Sequence, residues 1–215
     1  MNPLGTLLAA GKRALEFPRF YRSWQSLVGA DQMRRLYIYE HLRPKHDDVI
    51  VDIGCGTGEI VDYIPEGRYL GLDNNPAYIE AAAARHSSRG EFRLLRVRDA
   101  FLPELAGKSD LAMAIGILHH LDDQEADYCM ALTYALLKPG GRFVTIDGVF
   151  HPKQGILRRC VLRLDRGRHV RSRAEYRSLA SAHFSLVTDY VYDNLTRIPS
   201  SFLVMECTKP LVLKD

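Results

Sequence analysis

The chain has four cysteines, Cys55, Cys129, Cys160 and Cys207, spread far apart and without a C-x-x-C pair. That spacing excludes a paired-cysteine zinc site and a disulfide framework, and it reads as thiols in a reducing compartment. No apolar run approaches the roughly 20 residues of a membrane-spanning helix. The early apolar stretch Leu7–Ala10 comes before the first basic residues, Lys12 and Arg13. A secretory signal has the opposite order, so a cytoplasmic protein is expected. G-x-S-x-G, H-E-x-x-H and Walker A motifs are missing, which leaves hydrolase, zinc-enzyme and kinase readings without support.

Net charge is also scarce. There are 29 Lys and Arg against 26 Asp and Glu, so the 215 residues carry +3. A dedicated nucleic-acid binder is more basic than that. The balance is a cancellation, however. Between His151 and Arg177 stand nine Lys or Arg and only two acids, a +7 segment that leaves −4 for the rest. The length suits one domain with a core of its own.

Residues 12–48 read as helical, with apolar and aromatic positions recurring from Phe17 to Leu42. From Val49 the pattern changes to short apolar strands at Val49–Ile53, Tyr69–Asp73, Phe92–Val97, Asp110–Ile115 and Arg142–Asp147. Helices are expected between them at Glu59–Ile64, Pro76–His86 and Asp123–Leu137. Asn75-Pro76 is a helix start, and Pro139-Gly140-Gly141 a stop. Apolar strands alternating with helices predict a parallel sheet covered on both faces. In the tail, Ser172 and Glu175 form a capping box opening a helix to about His183. Two strands follow near Phe184–Tyr192 and Ser201–Thr208, and their short link predicts antiparallel neighbours.

The turn Asp52-Ile53-Gly54-Cys55-Gly56-Thr57-Gly58 joins the first strand to its helix. Its glycines let backbone amides approach a ligand. A dinucleotide fingerprint wants glycine where Glu59 stands, and acids at Asp52 and Glu59 would repel a pyrophosphate. They suit a cation. Asp73 ends the second strand, where an acid binds ribose hydroxyls. Asp99 is placed to meet an adenine amino group, with Ala100 and Phe101 beside it. Asn74 is a further hydrogen-bonding candidate for the adenosine. A ligand with ribose, adenine, positive charge and no phosphate describes S-adenosylmethionine.

With Gly71-Leu72-Asp73, Asp99-Ala100 and Leu137-Lys138-Pro139-Gly140-Gly141 added to that turn, the chain resembles class I S-adenosylmethionine-dependent methyltransferases over about 49–147. Within them it is most similar to small-molecule enzymes with a Leu-His-His segment, here Leu118-His119-His120. The resemblance implies an α/β Rossmann-like fold: seven mostly parallel strands, an antiparallel last strand and helices on both faces. It implies one domain over 1–215, divided into an N-terminal helical cap (1–48), a cofactor-binding core (49–149), a basic insertion or lid (150–171) and a C-terminal helix with two strands (172–215). The expected cofactor-binding residues are Tyr21, Asp52, Gly54, Cys55, Gly56, Gly58, Asp73, Asn74, Asp99, Ala100, Phe101 and Ile115, with no metal. Tyr21 enters because an N-terminal helix closes over the cofactor in similar enzymes.

His119 and Asp147 follow the fourth and fifth strands at the edge where ligands bind in such sheets. Two roles are open to His119: a general base oriented by Asp147, or a cap and packing residue under the cofactor. His151 is a second candidate base. For the basic segment three readings stand: contact with an anionic acceptor such as a glycan, lipid-linked or secondary-metabolite intermediate, contact of 156–164 with an anionic membrane, or a solvated lid. The fourth-strand end, Ile115-Gly116-Ile117-Leu118, lacks the Asn- or Asp-Pro-Pro-aromatic motif of exocyclic-amine methyltransferases, which disfavours base N-methylation, while RNA ribose methylation stays open without support from the +3 charge. The expected activity is methyl transfer to a small molecule, at oxygen before nitrogen or carbon. The rivals are a non-catalytic binder of the same cofactor, an RNA methyltransferase and a reductase.

Overall fold

Seven strands form one sheet in the order β3-β2-β1-β4-β5-β7-β6 in the computed structural model, which describes residues 17–100, 102–164 and 167–211, without the side chain of Tyr21. The strands are β1 (Val49–Ile53), β2 (Arg68–Asp73), β3 (Gly90–Leu94), β4 (Ser109–Ile115), β5 (Leu137–Gly148), β6 (Leu186–Tyr192) and β7 (Phe202–Thr208). All neighbours run parallel except β7, which lies antiparallel between β5 and β6. This is the expected Rossmann-like α/β sheet, with its antiparallel strand inserted one place from the edge.

The helices are α1 (Pro18–Leu27), α2 (Ala30–Leu36), α3 (Pro76–His86), α4 (Asp123–Leu136), α5 (Ile156–Leu164) and α6 (Arg173–Ser181). Side chains alternate across the sheet, so each central strand feeds two cores. Val51 and Ile53 of β1 point into a core with Ala112, Met130, Phe143, Tyr176 and Phe184. Ile50 points the other way, to Tyr37, Ile38, Leu42, Met113 and Val144. Burial on both faces explains why β1 and β4 read as near-continuous apolar runs.

The N-terminal helices are pinned to the sheet by buried polar contacts. Tyr37 Oη donates to the Val144 carbonyl at 2.7 Å. His41 sits between Glu206 (2.9 Å) and Tyr192 (2.9 Å), and Arg142 donates to the carbonyls of His41 and Leu42. Glu206 is buried on β7, and Arg43 and Arg142 supply its counter-charges.

Several boundaries differ from the sequence expectation. The N-terminal helical run breaks at Gly29, whose φ of +73° separates α1 from α2, and a π-helical turn (Tyr37–Leu42) follows. The segment after the glycine turn is a 3-10 turn, Glu59–Tyr63, in place of an α-helix. β3 is Gly90–Leu94, because the chain leaves the sheet into the 3-10 turn Val97–Asp99. β5 already starts at Leu137, where α4 runs straight into the sheet and Ser109 pairs with Leu137. α6 stops at Ser181, two residues before the expected His183.

Candidate active site

The C-terminal ends of β1, β2, β4 and β5 meet at one edge. Gly54, Gly56 and Gly58 all adopt left-handed backbone, with φ of +76°, +57° and +76°. Residues with a Cβ avoid that region, so the turn demands glycine. The Gly54 and Cys55 N–H groups donate to the Leu72 carbonyl at 2.7 and 3.0 Å. Asp73 then locks the turn: its Oδ2 accepts the Gly56 N–H at 3.0 Å and its Oδ1 the Asn75 N–H at 2.8 Å. Burial raises the proton affinity of Asp73, and these backbone donors oppose it.

A cavity of about 240 Å³ opens against this turn. Gly54, Asp73, Asn74 and Ala100, four of the expected cofactor-binding residues, line it. So do Leu95, Val97, Ile117, Leu121 and Leu132, with Arg96, Arg98 and Glu125 at its polar side. Ile117 and Leu121 escaped the sequence reading. Their signal was positional, since Ile117 follows the positive-φ Gly116 and Leu121 precedes the capping box of Asp122 and Glu125. Asp99 is exposed and outside the lining, while Ala100 is buried and its carbonyl accepts Tyr128 Oη at 2.9 Å. Ile115 is half-buried against the second core and also outside the lining. Phe101 and the Tyr21 side chain lie outside the described residues.

Asp52 and Cys55 are buried beside the turn and do not line the cavity. Asp52 Oδ2 accepts Tyr69 Oη at 2.6 Å, and its Oδ1 is buried without a hydrogen-bond partner among the described residues. Burial pushes this carboxyl up to about 7, with the charge of Asp73 adding and the tyrosine opposing. The Cys55 thiol is likewise pushed up by burial, so it stays protonated under the turn. Gly71 is required next to it: a Cβ there would come within 2.8 Å of Cys55 Sγ. Gly58 leads into the 3-10 turn and packs on His86.

His119 and Asp147 are brought together. His119 Nδ1 lies 2.7 Å from Asp147 Oδ1, which also accepts the His119 backbone N–H at 3.2 Å. Asp147 is buried and its burial raises its proton affinity, with His119 opposing. The residues after α5 cover the pair. Gly167 packs so closely on the imidazole that a Cβ there would overlap the ring, and the His169 N–H donates to the His119 carbonyl at 3.0 Å. Arg171, nearly buried, donates to the carbonyls of Leu118 (2.9 Å) and Leu121 (3.0 Å) and pairs with Asp123 at 2.7 Å. Nothing in the sequence marked Arg171 apart from its neighbours. His151 instead bonds Asp193 of the β6–β7 link at 3.2 Å, an oxygen shared with Ser201.

The basic segment is largely spent inside the molecule. Arg158 binds the Asp193 carbonyl and Asn194, Arg159 the His151 carbonyl, and Arg173 and Arg177 both bind Asp189 on β6. Lys153, Arg163 and Arg168 are exposed. Among the described residues no group of three His, Cys, Asp or Glu is arranged to hold a metal ion, and no helix is long and apolar enough to cross a membrane.

The strand order, the reversed β7 and the glycine turn held by the acid of β2 define the class I methyltransferase fold. Residues 51–143 match the family model described as a methyltransferase domain. Over 96 residues the chain is 32% identical to trans-aconitate 2-methyltransferase of Deinococcus radiodurans, a match covering 43% of this chain and 34% of that protein. An uncharacterised protein of Synechococcus sp. is 32% identical over 101 residues, 43% of this chain and 23% of its own length. The match thus spans about a third and a quarter of these two relatives. Among solved structures, the chain is similar to the [4+2]-cyclase SpnF (TM-score 0.69, 15% identity, 85% of this chain and 82% of that one). It is also similar to geranyl diphosphate C-methyltransferase from Streptomyces coelicolor A3(2), solved with S-adenosyl-L-homocysteine (TM-score 0.64, 17% identity, 82% and 75%). At such identities the likeness is one of fold, and the cyclase makes clear that this fold hosts more than one reaction.

Proposed function

We propose that the protein transfers the methyl group of S-adenosylmethionine to a hydroxyl oxygen of a small molecule, with His119 as general base and Asp147 as its partner. The observation that carries this reading is the 2.7 Å contact between His119 Nδ1 and Asp147 Oδ1 at the ligand-binding edge of the sheet.

The residues present fit the cofactor. Leu95, Val97, Ile117, Leu121 and Leu132 offer apolar walls for a flat base, and Asp73 and Asn74 offer polar groups for ribose. The buried, unpartnered Oδ1 of Asp52 suits a cationic amino group. When bound, S-adenosylmethionine supplies an electrophilic methyl group on a sulfonium. The chain's part is alignment and proton removal. With Nδ1–H donated to Asp147, Nε2 is the basic nitrogen that takes the hydroxyl proton, and the carboxylate steadies the imidazolium that forms. The backbone at Gly167 packs on the ring, and the His169 N–H holds the His119 carbonyl. Tyr21, Cys55, Gly56, Gly58, Asp99, Phe101 and Ile115 remain proposed contributors, of which the glycines act through the shape of the turn.

The acceptor we infer is small and anionic. Exposed Lys153, Arg163 and Arg168 stand on the segment that follows β5, and relatives are named for trans-aconitate and geranyl diphosphate. The test is His119→Ala. Calorimetry should give unchanged S-adenosylmethionine affinity, while labelled product from an extract of acceptors falls by roughly 10²–10⁴-fold. Full turnover in the variant would remove His119 as base. A wild-type protein that binds the cofactor and never forms S-adenosylhomocysteine would leave a binding protein in place of an enzyme.

A further inference from the structure

We propose that α1 and α5 dock the protein on the surface of an anionic lipid bilayer. The inference stands apart from the methyl-transfer reading and rests on how these two helices face solvent.

The sequence of α5 predicts an amphipathic helix with an arginine side, and the structure shows which side turns in. Arg158 and Arg159 turn to the body of the protein, where the Asp193 carbonyl, Asn194 and the His151 carbonyl hold them. Ile156, Leu157, Cys160 and Leu164 face out, with Ile156 85% and Leu157 65% exposed. Positions i, i+1, i+4 and i+8 form one stripe, so this is a continuous apolar face. α1 and its cap repeat the pattern. Phe17, Phe20, Trp24 and Leu27 follow one another by three, four and three residues, and all four are exposed.

Both helices border one loop, which sets them on a common rim of the molecule. The β6–β7 link touches both helices: Arg158 of α5 donates to Asn194 at 2.7 Å, and the Arg197 N–H donates to the Val28 carbonyl, just past α1, at 2.8 Å. This rim adjoins the end of β5, where Leu162 of α5 packs on Gly148 one residue after Asp147.

Charge selects the occupant. α1 contains the exposed Arg19 and Arg22, the latter also 3.4 Å from Glu59, and no acid; the stretch 151–164 has no acid either, and there Lys153 and Arg163 are exposed while Arg158 and Arg159 are held inward. Aromatic and leucine side chains on one face of helices that themselves carry positive and no negative charge are the composition of a helix lying in an anionic lipid interface. A second copy docked face to face would set these same cations against each other.

Cys160 is the one exposed cysteine of the four and lies on the stripe, so it carries the probe. The labelled protein is mixed with vesicles of phosphatidylcholine alone or with phosphatidylglycerol. Sedimentation with the phosphatidylglycerol vesicles is expected, with a blue shift of a solvent-sensitive dye and release in ~0.5 M salt. Leu157→Asp with Leu164→Asp should reduce sedimentation by about tenfold or more at unchanged melting temperature and cofactor affinity. Wild-type protein left in the supernatant, or equal binding to both vesicle types, overturns the proposal. So does a dimer, seen by sedimentation velocity without lipid, that the double variant disperses. Cofactor affinity measured on the same samples keeps failure of docking distinct from failure of the methyltransferase reading.

Discussion

One oxygen, Asp147 Oδ1, holds His119 twice, at the ring Nδ1 (2.7 Å) and at the backbone N–H (3.2 Å). The turn after β4 and the orientation of the imidazole are therefore set by a single carboxylate at the end of β5. Asp147→Asn keeps the shape but offers an amide, whose N–H₂ can donate to Nδ1 and leave the proton on Nε2. In that tautomer the base is lost. We expect kcat to fall by roughly 10²–10⁴ with S-adenosylmethionine affinity within about twofold. Single-turnover kinetics beside calorimetry check this, and an Asn variant of wild-type activity would confine Asp147 to a structural role.

Gly54→Ala tests the turn. The position has φ of +76°, and an added Cβ would stand 2.7 Å from Ile117 Cδ1 and 2.9 Å from Cγ1. The left-handed backbone costs about 1 kcal/mol and the overpacking about 1–3 more. Since Ile117 lines the cavity, the clash moves a wall of the site as well. Both melting temperature and cofactor affinity should fall. Adding Ile117→Ala should recover part of the melting temperature, because it relieves the clash and leaves the backbone strain.

The sheet and the chemistry of its edge were legible because their residues are constrained locally. β1 appears where five apolar-flanked residues precede a glycine turn, and α3 starts at the Asn75-Pro76 signal and ends at His86, as read. The pairing of His119 with Asp147 followed from both standing at strand ends on the same edge. Whatever depends on tertiary partners was hidden. The arginines of 158–177 look like one cationic surface in sequence, yet Arg171, Arg173 and Arg177 find Asp123 and Asp189 at 48, 16 and 12 residues' distance. The orientation of α5 was hidden for the same reason: periodicity shows that a helix has two faces, and only the partners Asp193 and Asn194 show which one turns in. The 3-10 turn Val97–Asp99 was equally hidden: it puts Val97 and Ala100 on the cavity and leaves Asp99 exposed.

Arg171 should behave as a positioning residue. Its guanidinium joins the carbonyls on both sides of the His119 turn to Asp123, and it stands over the Tyr176 ring at 5.9 Å. Asp123 is itself exposed, so the ion pair matters less than the two carbonyl bonds. Arg171→Ala should lower kcat by about tenfold with little change in cofactor affinity, at a loss of roughly 1–3 kcal/mol for carbonyls left unpaired. Arg171→Lys should rescue only part, since an ammonium lacks the planar fork. Comparing kcat with acceptor KM separates the roles: a change confined to KM would assign Arg171 to acceptor binding.

Asp52 makes the protein sensitive to pH. Its carboxyl titrates at about 7 in the folded protein against 3.8 ordinarily, chiefly through burial. The native state thus keeps a proton that the unfolded chain releases. Stability from this group is full below about pH 4 and is lost as pH rises toward about 7, and Asp52→Asn should flatten that part of the profile. Ligand binding has the opposite slope. A cation near the unpartnered Oδ1 favours the ionised form, so S-adenosylmethionine affinity should climb between about pH 6 and 8. Calorimetry on wild type and Asp52→Asn across this range checks it. Both proteins share every titration of the ligand, so the difference between their slopes belongs to Asp52. Parallel profiles would place its charge away from the ligand and leave Asp52 the single task of receiving Tyr69 Oη beneath the glycine turn.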